Sequence, residues 1–323
     1  MDPFTDLIAE GRLDDCRTLA EKTLQAIGHT NLQAAQSYHA IACCHVEARN
    51  AKDACVPGEL AWKLAVSVPD WDLAGHALLN LATAYAQSSR YSRQMRTLRR
   101  YLELLPKMDA VCVHEPTARY WLGWAAFQME EDDQADAFLS DGLLAAERWE
   151  DSQTADLCRR LKRALRIRAG RLDEVPLLLE QSAAYIDAQP QDRSAAYGYW
   201  HSMAQYAQAA GRPAEAIGHA LRALECADGQ TEDEVECHLL LCNSATELGD
   251  ARDALGFALG ARVCAIEGGR HDLAYGATAI IDDLLNRASP SVLEGFSHQF
   301  VQRGLNVFRY IPSQLLNRRI AGE

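Results

Sequence analysis

Isoleucine and valine are scarce in this 323-residue sequence, which has 11 Ile and 12 Val against 53 Ala and 41 Leu. Alanine and leucine favour the helix, whereas β-branched residues favour the strand. The composition therefore predicts an all-α protein. With 48% of its residues apolar, the chain can also bury a large core, which argues against a disordered protein.

A positive charge balance is lacking as well. The sequence has 32 Lys and Arg against 45 Asp and Glu, a net charge of −13. A protein that coats phosphates needs the opposite balance, so we expect no direct binding of nucleic acid.

Long hydrophobic runs and an export signal are missing too. The longest uncharged run, 194–211, is rich in Gln, Ser, Tyr and His, and no basic segment followed by an apolar stretch opens the chain. We therefore expect no membrane insertion and a cytoplasmic protein.

The ten cysteines do not have the spacing of metal ligands. No CxxC occurs, and most cysteines stand alone in apolar helical stretches, apart from Cys43-Cys44 and the nearby Cys237 and Cys242. Structural zinc sites need tightly repeated ligand spacing. We expect thiols packed as small apolar groups in a reducing compartment, without a metal or another cofactor.

A small pattern of residues recurs about every forty positions. It is clearest in 200–224 and 238–261, where apolar residues three or four apart lead to a glycine and small residues resume after it. This pattern predicts two antiparallel amphipathic helices that meet closely at alanines and are joined at the glycine. The same template places the turns 38 to 41 residues apart, at Gly11, Arg49, Ser89, Glu130, Gly170, Gly211 and Gly249.

The pattern resembles the tetratricopeptide repeat, whose characteristic positions are occupied here by Trp200, Leu122, Gly123, Tyr85, Gly211, Ala216, Ala223 and Pro106. The resemblance implies a right-handed superhelical solenoid of about seven helix pairs, with a concave face made chiefly by the first helix of each pair. The repeat is about 40 residues long, whereas the usual tetratricopeptide repeat has 34. In this longer repeat the chain resembles the sensor domains of bacterial signalling and transcription regulators, including peptide-pheromone receptors. HEAT-type helix pairs remain an alternative.

Two regions are expected from this organisation. Residues 1–270 hold the repeats, and 271–323 form helices that cap the last repeat and continue the solenoid. The first of these capping helices is predicted at 271–287, where apolar residues form a stripe, and the second begins at Ser289-Pro290.

No catalytic motif is present. The sequence contains none of the patterns GxSxG, HExxH and GxGxxG, nor a phosphate-binding P-loop. We predict a protein that is not an enzyme. A helical toroid with hidden catalytic residues is the weakest alternative.

The family resemblance also implies which side chains line the groove, because residues ten and six positions before each turn point into it. That offset selects aromatic, basic and carboxamide side chains, namely Tyr120, Trp124, Arg160, His201, Gln205 and Asn243. Carboxamides pair with an extended peptide backbone, and aromatic rings give rigid apolar contact. Tyr120 and Trp124 are equally well explained as packing between helices. Asn243 matches the asparagine of carboxylate-clamp members, but Leu239 replaces their lysine, which argues against such a clamp.

Basic residues are concentrated in 158–171, which has seven cations and no acid. Within it, Arg160 and Arg168 are the candidates for holding a carboxylate or phosphate. A solvated basic helix face is the alternative.

These features predict a scaffold whose concave groove captures a peptide or protein segment in a signalling or regulatory complex. The alternative is the sensory module of a larger transcriptional or signalling regulator. Both interpretations are compatible with a homodimer.

Overall fold

The structure is a computed structural model, which describes residues 3–28, 31–108, 114–227 and 229–288. It divides into two compact units, Met1–Leu165 and Arg166–Glu323. The repeat pattern does not predict this division, which falls inside a helix. Each unit is described separately below.

Unit 1 is built of helix pairs. Its helices are α1 (Pro3–Ala9), α2 (Leu13–Ile27), α3 (Leu32–Glu47), α4 (Ala51–Ser67), α5 (Trp71–Gln87), α6 (Tyr91–Leu104), α7 (Glu115–Gln128), α8 (Asp132–Arg148) and most of α9 (Ser152–Arg168). The members of the pairs α1/α2, α3/α4, α5/α6 and α7/α8 pack together, and each second helix from α2 to α6 also packs on the first helix of the next pair. The all-α fold of consecutive helix pairs is confirmed.

Unit 2 continues the same alternation. Its helices are α10 (Val175–Ala188), α11 (Arg193–Ala209), α12 (Pro213–Cys226), α13 (Thr231–Glu247), α14 (Ala251–Glu267) and α15 (His271–Arg287). The pairs α11/α12 and α13/α14 pack closely, and α15 covers α14. The helix expected at 271–287 is present with those bounds, whereas the one expected from Ser289 lies outside the described residues.

Every predicted turn has a left-handed backbone. The φ angle is positive at all seven positions, which are Gly11, Arg49, Ser89, Glu130, Gly170, Gly211 and Gly249. At Gly211 the amide donates to the Gln208 carbonyl, and the next amide, of Arg212, donates to the Ala207 carbonyl. This pair of bonds is the Schellman motif, which ends a helix by satisfying its last carbonyls. The same two bonds recur at the other six turns.

Small residues allow the two helices of a pair to approach closely. Ala216, Ala220 and Ala223 of α12 are fully buried, as are the matching Ala254, Ala258 and Ala261 of α14. At Gly123 of α7, an added Cβ would lie 2.6 Å from the Leu139 Cγ of α8. The sequence positions that define the repeat are therefore its closest helix contacts.

Several first helices begin with a side-chain cap. The carboxylate of Asp70 accepts a hydrogen bond from the Leu73 amide, and that of Asp192 accepts one from the Ala195 amide, each at 2.9 Å. Asn31 caps α3 in the same way at 2.8 Å. These bonds satisfy amides that the helix itself leaves unpaired, so they fix where each first helix starts.

Candidate functional site

The candidate surface is the side of each unit formed by the first helices of its pairs. In unit 1, α1 contacts α3 and α3 contacts α5, and in unit 2, α11 contacts α13. First helices of successive repeats therefore lie side by side. We call this side the first-helix face.

Polar side chains join α3 to α5 on this face. The Asn80 Nδ2 of α5 donates a hydrogen bond of 2.9 Å to the Cys43 Sγ of α3 and lies 3.5 Å from the His39 Nδ1. The same sulfur lies 3.6 Å from the His39 Nε2. All three side chains are half-buried, so the face presents a polar group that two repeats build together.

The imidazoles of His76 and His114 continue this polar group along the unit from His39. The ring centroids of His39 and His76 lie 6.4 Å apart, and those of His76 and His114 lie 6.1 Å apart. Burial, and then the neighbouring His76, lower the pKa of His39 to about 4. Burial, and then His114, also lower the pKa of His76. The row is therefore largely uncharged at neutral pH around His39 and His76.

An aromatic cluster follows, with three rings on α7 and one at the start of α6. Tyr120 and Trp121 meet edge to face at 5.3 Å, Trp121 and Trp124 at 5.4 Å, and Trp124 and Tyr91 at 5.3 Å. All four rings are partly buried. Burial raises the pKa of Tyr120, an effect that the charge of Arg160 opposes. Tyr120 and Trp124 thus pack on the core while keeping part of their surface at the unit's exterior.

The two arginines singled out in the sequence lie on the same helix, α9, but in different units. Arg160 is half-buried in unit 1, and Arg168 is exposed in unit 2. Lys162 of α9 donates hydrogen bonds of 2.7 Å to the Asp136 Oδ1 and the Ser140 Oγ. Arg166 contacts the Glu174 carboxylate at 2.5 Å. Part of the positive charge of this helix is therefore neutralised within the fold.

Unit 2 places His201 in a packed position. Only 7% of His201 is exposed, and its ring stacks on Tyr197 at 5.4 Å. Its Nε2 lies 3.7 Å from the Glu236 carboxylate, which also accepts a hydrogen bond of 3.3 Å from the Tyr197 hydroxyl. The imidazole therefore joins α11 to α13 and offers little surface to a ligand.

The two carboxamides of unit 2 are more accessible. Gln205 is half-buried on α11, and Asn243 is exposed on α13 beside the half-buried Leu239. Gln208 at the end of α11 donates a hydrogen bond of 3.1 Å to the Glu247 carboxylate at the end of α13. The first-helix face of unit 2 is thus polar at its exposed positions.

A buried carboxylate at the start of α7 has a structural explanation. The Glu115 oxygens lie 2.9 Å from Arg119 and 3.6 Å from Arg148, and they accept a hydrogen bond of 3.2 Å from the Trp149 indole. Burial alone would raise the pKa of Glu115. The hydrogen bonds from Trp149 and Arg119 outweigh that effect and leave the pKa below its ordinary value, so the carboxylate stays charged. Its oxygens are occupied by Arg119 of α7, Arg148 of α8 and Trp149, which follows α8.

No three or more His, Cys, Asp and Glu side chains in the described part of the chain are grouped so as to hold a metal ion.

None of the helices that the structure describes combines the length and the apolar composition needed to cross a membrane.

Sequence comparison identifies no family for this chain. No protein-family model matches it, and no curated protein matches it.

Solved structures do resemble it. A tetratricopeptide repeat protein from Parabacteroides merdae has a TM-score of 0.62 at 14% identity, covering 85% of this chain and 95% of that one. The apo form of the quorum sensor NprR from B. thuringiensis has a TM-score of 0.58 at 10% identity, covering 99% and 96%. Rap protein complexed with competence and sporulation factor has a TM-score of 0.51 at 11% identity, covering 98% and 94%. The chain therefore has a tetratricopeptide-repeat fold.

Proposed function

We propose that the first-helix face binds a peptide or protein segment, and that the protein is a non-enzymatic scaffold of a signalling or regulatory complex. The observation that supports this is that first helices of successive repeats each contribute hydrogen-bonding or aromatic side chains. In unit 1, His39 and Cys43 of α3 contact Asn80 of α5, and the next first helix, α7, carries three rings of the aromatic cluster.

The chemistry of this surface suits an extended polypeptide. A peptide backbone presents donors and acceptors without net charge, and the carboxamide oxygen of Asn80 can accept a hydrogen bond from one of its N–H groups. The depressed pKa values of His39 and His76 keep that region neutral. Trp124 adds rigid apolar surface for a side chain of the ligand.

The first-helix face of unit 2 offers Gln205 and the exposed Asn243. The proposal also includes Arg160 in unit 1 and Arg168 and His201 in unit 2. Because His201 is buried, we expect it to contribute least to direct contact with the bound segment. The two arginines would hold acidic groups of the segment.

A sensory module of a larger regulator is the second candidate function. The likeness to NprR, described as a quorum sensor, over nearly the whole of both chains favours it. We also propose a cytoplasmic location, since all nine described cysteines are free thiols.

The test begins with peptides selected from a random phage-displayed library on the wild-type protein. Trp124→Ala combined with Asn243→Ala should weaken the selected peptides by at least about tenfold, because it removes an aromatic anchor and a carboxamide. Binding is measured by fluorescence anisotropy, and far-ultraviolet circular dichroism confirms that the helical content is unchanged.

The matched control changes an exposed aromatic and an exposed carboxamide elsewhere. Tyr275→Ala with Asn50→Ala fits this purpose, because Tyr275 is 81% exposed on α15 and Asn50 lies in a turn. Asn80→Ala tests unit 1 without touching the aromatic core. Undiminished affinity in the Trp124/Asn243 variant, or an equal loss in the control, would refute the assignment of the surface.

A further inference from the structure

Helix α6 carries a stripe of exposed arginines. Arg93, Arg96, Arg99 and Arg100 are all exposed, whereas Gln94, Met95, Leu98 and Tyr101 of the same helix are buried. At 100° per residue the four arginines span an arc of about 120°, over about 10 Å of helix axis. We call these four residues the arginine stripe. It lies on a second helix and so is separate from the first-helix face.

Three of the four guanidinium groups are held over aromatic rings. The Arg93 guanidinium carbon lies 5.8 Å from the Tyr85 ring centroid, that of Arg99 lies 5.7 Å from Phe138, and that of Arg100 lies 5.1 Å from Trp62. Stacking positions a guanidinium by its face and leaves the N–H groups at its edge available. The stripe is therefore partly ordered before any ligand arrives.

Direct pairing with a carboxylate is missing from the stripe among the described residues. Among the described residues, no carboxylate oxygen lies within 4.0 Å of a stripe nitrogen, although Glu103 lies on the same helix. The polar contacts that the stripe does make are to neutral acceptors. Arg96 donates to the Ser92 carbonyl at 3.4 Å, and Arg99 donates to the Gln134 side chain at 3.5 Å.

This lack of pairing contrasts with other cations of the chain. Arg12 contacts Glu10 and Asp15 at 3.1 and 2.9 Å, and Arg17 contacts Asp14 at 2.9 Å. In a chain with a net charge of −13, carboxylates are plentiful, yet none within the described part of the chain contacts a guanidinium of the stripe directly. Four adjacent unneutralised arginines repel one another in the absence of an anionic partner.

We propose that the arginine stripe is a second binding surface, which takes an acidic segment of a partner protein. Guanidinium groups bind carboxylates bidentately. The partly exposed rings of Trp62 and Phe138 beside them would contact the apolar parts of the same segment. A segment with three or four Asp or Glu side chains within about 10 Å matches the length of the stripe.

The size of the stripe favours an acidic protein segment over nucleic acid. A nucleic acid backbone continues its negative charge beyond a 10 Å patch, about one charge every 1.7 Å in duplex DNA. Arg99 contacts Gln134 in the first turn of α8, and this turn begins with Asp132 and the exposed Asp133. A continuing polyanion would meet this acidic helix, whereas a short acidic segment ends before it.

The test uses the full chain and a fluorescein-labelled twelve-residue peptide of alternating glutamate and alanine, with glutamine in place of glutamate as its neutral control. We expect Arg96→Gln/Arg99→Gln/Arg100→Gln to weaken binding of the acidic peptide about tenfold or more in fluorescence anisotropy. The wild-type affinity should also fall as salt rises from about 50 to 300 mM, because the interaction is electrostatic.

A matched variant removes the same charge from paired arginines: Arg12→Gln/Arg17→Gln/Arg212→Gln. It should bind the peptide within about twofold of wild type, since those side chains are already engaged by carboxylates. Arg96→Glu is the second stripe variant, and it should weaken binding even if the triple variant folds poorly, because Arg96 stacks on no ring of the described residues.

Three results would overturn the proposal. One is unchanged affinity in Arg96→Glu, and another is an equal loss in the matched variant. The third is tighter, stripe-dependent binding of a twelve-nucleotide thymidine oligomer than of the acidic peptide, which would make the stripe a nucleic-acid surface.

Discussion

The imidazoles of His39 and His76 lie on successive first helices with their ring centroids 6.4 Å apart and their planes 26° from parallel. They are 37 positions apart in the sequence, close to one repeat. A proton on either ring would be repelled by a proton on the other. The half-buried Cys43 and Asn80, which also face His39, are neutral and cannot offset that charge.

His39 should make the stability of the protein depend on pH. Its folded pKa of about 4 lies below the ordinary value of 6.5. Between these two pH values the unfolded chain therefore binds more protons than the folded protein. The contribution of the neutral His39 to the free energy of unfolding is complete above pH 6.5 and is lost as pH falls toward 4. His39→Gln should reduce the drop in unfolding free energy between pH 7.5 and pH 5 by about 1 kcal/mol, allowing for the partial exposure of the ring.

Urea unfolding at the two pH values measures this difference. His271→Gln is the matched control, because His271 is exposed at the start of α15. A His39→Gln variant with the same pH dependence as wild type would show that His39 does not carry the effect.

Two helical glycines should respond oppositely to alanine. At Gly123 an added Cβ would lie 2.6 and 2.7 Å from Leu139 side-chain atoms, whereas at Gly218 nothing lies within 4 Å. Gly123→Ala should destabilise the protein by about 1–3 kcal/mol through overpacking of α7 against α8. Gly218→Ala should stabilise it by about 0.5–1 kcal/mol, because alanine favours the helix. Thermal unfolding followed by circular dichroism measures both, and similar shifts in the same direction would contradict this interpretation of Gly123.

Glycine should be better than glutamate at one turn. Glu130 has a φ of 59°, a left-handed conformation that costs residues with a Cβ about 1–2 kcal/mol. Glu130→Gly should raise the free energy of unfolding by about 0.5–1 kcal/mol. The control is Gln128→Gly, which places glycine in the last turn of α7 and should lower stability by up to about 1 kcal/mol. Urea midpoints measure both variants, and a destabilised Glu130→Gly protein would contradict the prediction.

The turns and the helices between them are predictable because both depend on local features. Glycine or a polar residue ends each helix, and apolar residues three or four apart mark its buried side. The bounds of α15 agree with the expected 271–287 for the same reason. Where a turn lacks glycine, as at Arg49, Ser89 and Glu130, the forty-residue spacing still locates it.

The side chains on the first-helix face were only partly predictable. The offset of ten and six residues, applied to the turn at Arg49, would have selected His39 and Cys43. Their partners His76 and Asn80 do not follow that offset from Ser89, because contacts between adjacent helices depend on how the helices cross. The burial of His201 depends in the same way on Tyr197 and on Glu236 of the next first helix. Tyr120, Trp124, Arg160, Arg168, Gln205 and Asn243 stay predictions as ligand contacts.

The recurring helix ends described above are closed by main-chain atoms alone. Amides at positions such as Arg49, Ser89 and Gly211 bond to carbonyls of the preceding helix whatever side chain they carry. Substitutions can therefore accumulate at these turns without altering the path of the backbone, provided that the new residue tolerates a positive φ angle. Glycine, arginine, serine and glutamate accordingly occupy equivalent turns within this one chain.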